Sequence, residues 1–357
     1  MLSSRPIRSV SGETPGQARL LSLIDAFAGQ RVAVIGDLIA DEFIYGRVAR
    51  VSREAPVLIL QYDSTEMLPG GAGNAASNVA ALGARTRIIG LAGKDEPGKR
   101  LRASLRHIDT TGLRCPAGYR TPVKTRILAG GIHTAKQQIV RIDRVVSTEY
   151  DARSRAELLR AALKAAGNAD AILLSDYGTG LVTAELARAL HKKVAGGTRR
   201  RPVPILVDSR YDLLRYRGLT ACTPNESEVE QVLGMRVGDS LSALERAGRE
   251  VLKRTRMSAA LITRGSRGMA LFEAGRPTIH IPIFGSDEVA DVTGAGDTVI
   301  ATMTLAIAAG ASFHEAARLA NYAGGLVVMK RGTATISPDE LRAAVRSDAP
   351  SERTARE

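Results

Sequence analysis

A regular alternation of apolar strands and amphipathic helices runs through the second half of the chain and leaves few folds open to it. Residues 171–175, 204–208 and 259–263 hold runs of three or four apolar side chains, which is typical of strands buried on both faces. Apolar residues at helical spacing fill segments between them, as in 183–195 and 242–255. Strands that alternate with helices of this length form parallel β-α-β units. The sequence therefore predicts an α/β fold, with helices on both faces of a mainly parallel sheet.

The first half of the chain departs from that alternation. Residues 31–36 are predicted to form a buried strand, because their apolar run ends at a Gly-Asp turn. Two β-rich portions then follow, at about residues 45–68 and 118–143, and they do not fit the helix-then-strand rhythm. We expect these portions to form a small second sheet that stands off the main domain.

The two ends of the chain differ in composition from its middle. Residues 1–18 are rich in Ser, Arg, Pro and Gly and are predicted to be a flexible arm, and residues 348–357 a disordered tail, which leaves 19–347 as the folded domain. No apolar run approaches the ~20 residues of a membrane-spanning helix, and a secretory signal pattern is missing. We therefore expect a cytoplasmic protein with no membrane partner. Cys115 and Cys222 lie in no metal-binding or disulfide pattern.

The net charge of +13 is compatible with nucleic acid or with an anionic substrate, so its distribution matters. Basic residues are spread along the chain, and the run at 199–201 lies in a loop between helix and strand patterns. Aromatic residues make up only 4% of the chain and tryptophan is absent, so stacking platforms for single strands are scarce. We expect no nucleic-acid partner.

A glycine-rich segment near the C-terminal end precedes an apolar, helix-like run at 298–309. Gly294, Ala295 and Gly296 allow a tight turn, and the first N-H groups of a helix point outward at its positive end. Such a turn can hold phosphate oxygens. Asp297 would then lie where it can accept a proton from an attacking hydroxyl. The plain alternative is a turn followed by an acidic residue in the first turn of a helix.

Other polar residues follow predicted strands, and ligands of open α/β sheets collect at the carboxyl ends of strands. The residues in such places are Asp37, Asp176, Asp208, Asn225 and Arg264. Asp37 and Asp41 can accept hydrogen bonds from sugar hydroxyls, or can serve as turn and cap residues. Gly70 and Gly71 open a loop that is predicted to bring the backbone close to a ligand and to present Asn74.

Two more segments carry a functional and a structural interpretation. Asn225 and Glu228 have the spacing of a helix capping box, and they can equally organise water around Mg2+. Thr263, Gly265 and Gly268 form a strand-end loop suited to nucleotide phosphates or ribose, or a simple tight turn. The chain has no Walker A motif, so ATP would have to bind in another way.

These motifs, in this order, resemble the PfkB or ribokinase-like family of sugar kinases. The resemblance runs from about residue 31 to 339, and its most specific parts are residues 70–83 and 291–298. It implies a ribokinase-like three-layer sandwich in which the small sheet is a lid. It also implies ATP-dependent phosphorylation of a sugar hydroxyl with Mg2+, a monovalent cation such as K+, and a homodimer formed through the lid.

The resemblance also implies roles for single residues. Asp297 would be the catalytic base, and the anion hole would be formed by the backbone N-H groups of Gly294, Ala295 and Gly296. The nucleotide-binding segments would contain Asn225, Thr263, Gly265, Gly268 and Asn321. Mg2+ would be held through water by Asn225 and Glu228, and the monovalent cation by Asp291 and Thr293 near Gly332. The sugar would contact Asp37, Asp41, Gly70, Gly71, Asn74 and Asp176.

Within the family, residues 52–57, 137–143 and 175–178 are similar to kinases of bacterial ADP-heptose biosynthesis. That likeness implies transfer to O1 of D-glycero-D-manno-heptose 7-phosphate. No HxGH motif of a nucleotidyltransferase occurs, so we expect the kinase step alone. The alternatives are a family kinase for another sugar or nucleoside, and a sugar-binding regulator without catalysis.

A phosphorylated substrate needs cations to bind its phosphate. The candidates on the predicted lid strands are Lys124, Arg126 and Arg141, beside Gln138, although these side chains can also be the solvated face of the sheet. Thr179 stands where many heptose kinases have a lysine, so the phosphate is held elsewhere or the sugar differs.

Overall fold

The computed structural model describes residues 16–130, 136–144, 151–196, 202–285, 291–330 and 332–348. The predicted arm and tail fall almost entirely outside these residues. Within them the α-helices, numbered α1 to α10, are Gln17–Asp25, Ala72–Ala81, Glu96–Ser104, Ala152–Asn168, Ala184–Ala195, Glu226–Leu233, Leu241–Thr255, Ala295–Ala308, Phe313–Val327 and Pro338–Ser347. The β-strands, numbered β1 to β13, are Arg31–Gly36, Leu38–Val51, Leu58–Gly71, Arg85–Leu91, Asp109–Arg114, Val123–Gly130, Gln137–Arg144, Ala171–Asp176, Ile205–Ser209, Ala221–Cys222, Ala259–Thr263, Met269–Glu273 and Ile279–Ile281.

The main sheet has nine strands in the order β13-β12-β11-β10-β9-β8-β1-β4-β5. The strands from β11 to β5 pair in parallel, and β12 and β13 add an antiparallel edge. Parallel neighbours place their carboxyl ends at one edge of the sheet, where ligands of such folds bind. The predicted α/β architecture with helices on both faces is confirmed.

Side chains along the central strands alternate between two cores. Val32 and Val34 pack with one cluster, which includes residues of α1, α2, α8, α9 and α10, whereas Ala33 and Ile35 pack with the other, which includes residues of α4, α5, α6 and α7. Successive side chains of a strand point to opposite faces, so an uninterrupted apolar run supplies both cores. The result is a three-layer sandwich of helices, sheet and helices.

The smaller sheet has four strands in the order β3-β2-β6-β7. β2 pairs with β3 and β6 with β7 in antiparallel fashion, while β2 and β6 are parallel. The strands β2 and β3 are 14 residues each, much longer than the sequence pattern indicates. The chain therefore enters this sheet directly after Asp37, and Asp41 lies within β2 and not in a turn.

The predicted loop from Gly70 to Asn74 is wrong in its local structure. Strand β3 ends at Gly71 and helix α2 begins at Ala72, so Asn74 lies in the first turn of a helix. Gly71 makes the abrupt change possible because its φ is +56°, and a Cβ there would lie 2.5 Å from the carbonyl oxygen of Asp37. Only glycine fits this crossing.

Helix α8 lies inside the molecule, between α2, α9 and the main sheet. Every residue from 297 to 306 is buried, as expected for a helix that is apolar on all sides. The hydroxyl groups of Thr298 and Thr302 are satisfied within the protein, each by a carbonyl one turn earlier or by a neighbouring amide. The rigid position of α8 fixes the acidic residue in its first turn.

No helix in the described part of the chain combines the length and the apolar character needed to cross a bilayer. Cys115 and Cys222 are both free thiols.

Candidate active site

Asp297 lies in the first turn of α8 and is only 3% exposed. Its Oδ2 accepts a hydrogen bond from Nδ2 of Asn74 at 2.9 Å, and its Oδ1 accepts one from the hydroxyl of Tyr177 at 3.0 Å. Burial raises the pKa of Asp297 to about 6, although both hydrogen bonds act in the opposite direction. The carboxylate is therefore a base whose pKa lies close to neutral pH, held by a donor on each oxygen.

The amide of Asn74 is itself held in one orientation. Its Oδ1 accepts from Nδ2 of Asn78 at 3.1 Å, and Oδ1 of Asn78 accepts from the hydroxyl of Thr298 at 3.1 Å. The amide nitrogen of Asn74 therefore faces Asp297. Asn74, predicted as a sugar-binding residue, is placed by the structure against the candidate base.

The turn before α8 presents unused backbone donors. The N-H of Ala295 donates to the carbonyl of Val292 at 3.3 Å, so this part of the predicted anion hole is already engaged. The N-H groups of Gly294 and Gly296 have no acceptor among the described residues. Gly294 has a φ of +79°, and a Cβ there would lie 2.4 Å from Nδ2 of Asn74. The geometry suits an anion at the positive end of the helix.

A pocket of about 360 Å3 opens beside Asp297, at the carboxyl ends of the main-sheet strands. All of the residues predicted for the nucleotide and for catalysis line it, together with Glu228 from the predicted Mg2+ site: Asn225, Thr263, Gly265, Gly268, Gly294, Ala295, Gly296, Asp297 and Asn321. Segments separated by up to about a hundred residues in sequence thus share one cavity, as expected for a composite ligand site.

Asn225 and Glu228 form the capping box that was one of their two interpretations. Oδ1 of Asn225 accepts from the N-H of Glu228 at 2.8 Å, and Oε2 of Glu228 accepts from the N-H of Asn225 at 2.9 Å. Oε1 of Glu228 remains, 3.9 Å from Nε of Arg210. Burial raises the pKa of Glu228, and burial together with the charge of Glu228 raises that of Asp208. The capping box fixes Glu228 at the wall of the pocket without using both oxygens.

Among the described residues no cluster of three or more His, Cys, Asp or Glu side chains suits a metal ion. Mg2+ in phosphoryl-transfer sites usually keeps several waters and takes few protein ligands, in addition to phosphate oxygens. The acids Asp208 and Glu228 fit that kind of site because each is more easily ionised when a cation is near.

The glycine loop after β11 is held in place by ion pairs to helix α6. Gly265 and Gly268 have φ of +57° and +76°. Arg264 donates to Oε1 of Glu226 at 2.7 Å, and Arg267 pairs with the same carboxylate. The loop therefore keeps its glycine backbone open to the pocket. Asn321, on α9, is buried and donates to the carbonyl of Pro282 at 2.9 Å.

Asp291 joins two segments at the rear of the glycine turn. Its Oδ1 accepts from the N-H of Thr293 at 2.9 Å and its Oδ2 from the N-H of Gly332 at 3.0 Å. The structure thus brings together the three residues that were predicted around a monovalent cation. Asp291 and Thr293 do not line the pocket itself.

The carboxylates predicted to bind sugar are largely engaged by the protein. Asp37 accepts from the N-H groups of Tyr177 and Thr179 and from the hydroxyl of Thr179. Burial raises the pKa of Asp37 to about 6. Asp176 accepts from the hydroxyls of Ser209 and Tyr216, both at 2.7 Å. In the structure Asp37 and Asp176 hold the 177–180 loop in place.

Gly70 and Gly71 make room for neighbouring acidic residues. A Cβ on Gly70 would lie 2.1 Å from Oδ2 of Asp41. Asp41 is itself paired with Arg126 at 2.6 Å in an ion pair that is largely buried. The glycines therefore permit close packing of β2 on β3 next to the site.

The predicted phosphate-binding cations differ in their surroundings. Arg126 is neutralised by Asp41, Arg141 pairs with Asp143 at 2.9 Å, and Gln138 is exposed on the edge strand β7. Lys124 makes no ion pair among the described residues, and its Nζ lies 4.8 Å from the ring centre of Tyr177. Tyr177, which donates to Asp297, thus connects Lys124 to the candidate base.

Among the polar residues that line the pocket, Tyr177, Arg210, Thr223 and Ser266 were not predicted from the sequence, whereas Asp208 was predicted only as a strand-end position. Tyr177 and Arg210 directly follow the carboxyl ends of β8 and β9, where ligands of such sheets bind. The strand-end rule could therefore have identified them, but it was applied only to the neighbouring acids. The hydroxyl of Thr223 is buried without a partner in the described structure.

Comparisons with known proteins identify the family of the chain. Residues 30–340 match the pfkB family of carbohydrate kinases, and the chain belongs to that family. As a member of that family it is a carbohydrate kinase. The bifunctional protein HldE of Caulobacter vibrioides is 43% identical over 92% of this chain, and that of Geobacter sulfurreducens 40% over 86%. The chain covers 66% and 61% of those two proteins, so it spans less than two thirds of their length.

Solved structures show the same fold at lower identity. Ribokinase of Arabidopsis thaliana, complexed with ribose and ATP, superposes with a TM-score of 0.70 at 21% identity, covering 89% of this chain and 99% of the ribokinase. Phosphofructokinase-2 of Escherichia coli, in complex with potassium, gives 0.69 at 17% identity with the same coverage. The predicted ribokinase-like sandwich with a small second sheet is confirmed.

Proposed function

We propose that this kinase transfers the γ-phosphoryl group of ATP to O1 of D-glycero-D-manno-heptose 7-phosphate, the step expected in ADP-heptose biosynthesis. The sugar assignment rests on the stretches that resemble heptose kinases, and it is supported by identity of about two fifths with the HldE proteins. The cytoplasm, where ATP and sugar phosphates are found, is the location that we propose for it.

The single observation that carries the catalytic part is the setting of Asp297. It combines a pKa of about 6, burial, and two fixed donors with unused N-H groups at the start of the same helix. A general base works best when its pKa lies near the working pH, so that it is ionised yet can still take a proton. Glu228 also lies in the first turn of a helix at the pocket, but one of its oxygens is used in the capping box of α6.

In the proposed reaction the acceptor hydroxyl donates to Asp297. Each carboxylate oxygen can accept more than one hydrogen bond, so the bonds from Asn74 and Tyr177 leave room for the substrate. As the sugar oxygen attacks the γ-phosphorus in line, its proton passes to Asp297, and ADP leaves with the electrons of the broken P-O bond. The N-H groups of Gly294 and Gly296 are placed to stabilise charge on the transferring group.

The nucleotide is proposed to lie along the glycine loop after β11. Gly265 and Gly268 let its phosphates approach the backbone, while Thr263 and Asn321 flank it. Mg2+ would be held through water by Asn225 and Glu228, with Asp208 nearby, and would offset the negative charge of the phosphates. Asp291 and Thr293 are proposed to hold a monovalent cation such as K+ behind the glycine turn.

A homodimer through the small sheet is the proposed assembly. One face of that sheet carries Ile44, Ile127, Val140 and Ile142, which the strand register places side by side. Val140 and Ile142 are 44% and 49% exposed. A second copy of the same face would cover these side chains, and such self-complementary contacts are the commonest form of dimer.

A screen for ADP release over free and phosphorylated sugars tests the proposal. We expect MgATP-dependent turnover with heptose 7-phosphate and loss of that turnover in Asp297→Asn. Activity confined to unphosphorylated sugars would reject the heptose 7-phosphate assignment, and activity retained in the variant would reject Asp297 as the base.

A further inference from the structure

We propose that Lys124 and Arg210 together form the subsite for the phosphate of the phosphorylated sugar. Lys124 comes from β6 of the small sheet, and Arg210 follows β9 of the main sheet. This inference rests on the proposed function, because it names the groups that would select a phosphorylated acceptor.

The two cations meet at one aromatic ring. Nζ of Lys124 lies 4.8 Å from the ring centre of Tyr177, and Cζ of Arg210 lies 5.2 Å from it. The hydroxyl of the same ring donates to Asp297 at 3.0 Å. Tyr177 therefore separates each cation from the base by one side chain, with Lys124 on the small sheet and Arg210 in the wall of the pocket.

The positive charge of Lys124 is not balanced by an ion pair in the described structure. Burial and the charge of Arg210 both lower the pKa of Lys124, whereas Asp41 and Asp143 act in the other direction. Those two carboxylates are already paired, Asp41 with Arg126 and Asp143 with Arg141. Lys124 and Arg210 therefore carry like charges next to the same ring, and both would be stabilised by a dianion bound to them.

Arg210 has acids on its other side. The nearest is Glu228, 3.9 Å from its Nε, and Asp208 and Tyr177 also favour its charged form. Glu228 lies at the nucleotide end of the pocket. A planar guanidinium has five N-H donors, so Arg210 can face Glu228 and still offer a fork to phosphate oxygens.

Lys124 and Arg210 can replace the lysine that heptose kinases often have at the position of Thr179. Thr179 donates from both its N-H and its hydroxyl to Asp37, so it fixes the loop and leaves no charge for a phosphate. Lys124 and Arg210 supply that charge from two other elements. A phosphate bound between them would also join the small sheet to the main domain.

The test is a kinetic comparison of Lys124→Gln and Arg210→Gln with the unchanged chain. The acceptors are heptose 7-phosphate and the same heptose without phosphate. We expect each variant to raise KM for the phosphorylated sugar about tenfold or more, as loss of a charge-assisted hydrogen bond does. kcat/KM for the free sugar should stay within about threefold in both variants, because that sugar has no phosphate for the two cations to bind. KM for ATP should stay within about threefold in Lys124→Gln, since Lys124 does not line the pocket proposed for the nucleotide.

Two further variants serve as controls. Lys164→Gln removes an exposed cation from α4, far from the pocket, and should leave all constants unchanged. Lys124→Arg keeps the charge and should recover most of the affinity. An equal loss with both sugars, or a raised KM for ATP in Lys124→Gln, would overturn the inference and assign the pair to the nucleotide phosphates.

Calorimetry without nucleotide separates this inference from the proposed function. Weaker binding of heptose 7-phosphate by Lys124→Gln and Arg210→Gln supports the subsite even if the unchanged chain shows no turnover. Equal binding by all three proteins overturns the subsite even if heptose 7-phosphate is the substrate.

Discussion

At the scale of single residues, the proposed chemistry depends on the charge of Asp297. Asp297→Asn keeps the size of the side chain but cannot accept a proton. We expect kcat to fall by about 10²- to 10⁴-fold, the usual contribution of a general base. Affinity for ATP, measured by calorimetry, should stay within a few-fold because Asp297 faces the acceptor. Asp212→Asn, which alters an exposed carboxylate paired with Arg215, is the matched control and should keep full activity.

Tyr177 is expected to set the pH range of the enzyme. Its hydrogen bond favours the ionised form of Asp297, and burial raises the pKa of Tyr177 well above its ordinary value, so the phenol stays protonated. Because Asp297 must be ionised to act, kcat/KM should fall as the pH drops through about 6. Tyr177→Phe removes the bond, raises the pKa of Asp297, and should move this acidic limb to higher pH.

The measurement is the pH profile of kcat/KM for the unchanged chain and for Tyr177→Phe. Tyr211→Phe removes the hydroxyl of an exposed tyrosine on the neighbouring loop and should leave the profile unchanged. If the limb of Tyr177→Phe stayed in place or moved to lower pH, the hydrogen bond to Asp297 would have no role in setting the base.

The sequence predicted which residues lie together in the site where those residues are close together in the chain. Asn225 with Glu228, and Gly294 with Asp297, lie within four residues of each other, so spacing alone brought them together. The pairing of Arg126 with Asp41 spans 85 positions, and it removes a cation that sequence reasoning assigned to phosphate. Such neutralisation depends on the register of β2 and β6, which no local pattern specifies.

At the scale of elements, the glycine turn before α8 should tolerate change at one glycine and not at another. Gly294→Ala places a Cβ at a φ of +79° and 2.4 Å from Nδ2 of Asn74. We expect the free energy of unfolding to fall by about 2 kcal/mol or more. Gly296→Ala meets no atom within 4 Å and is the matched control for stability. Denaturant melts of both variants decide this, and equal stability would contradict the account of the turn.

The elements themselves were predictable to different degrees. The strands 171–176, 205–209 and 259–263 match their predictions closely because both of their faces are buried and their apolar runs are continuous. β2 and β3 were predicted only in part, since β2 is exposed over its last residues, most of β3 is exposed or half-buried, and β3 ends in two glycines. Helix α2 was read as starting later than it does, because Gly70 to Gly73 look like a loop when the sharp turn at Gly71 is unknown.

At the scale of the whole molecule, the exposed apolar face of the small sheet should hold two copies together. Ile142→Asp places a charge on that face, on the edge strand β7 beside Val140, and burying an unpaired charge is strongly unfavourable. We expect sedimentation to change from dimer to monomer while the melting temperature of the domain changes little. Arg47→Asp is a matched change on an exposed position of the same sheet. A monomeric unchanged chain would contradict the assembly.

The central claim about the whole molecule is that it transfers phosphate to O1 of the sugar. Phosphorus NMR of the reaction with MgATP and heptose 7-phosphate follows that transfer directly. We predict a new phosphomonoester signal coupled to the anomeric proton, with ATP converted to ADP, and no such signal with Asp297→Asn. A new phosphate coupled to any other sugar proton, or ATP consumed without a new sugar phosphate, would contradict the account.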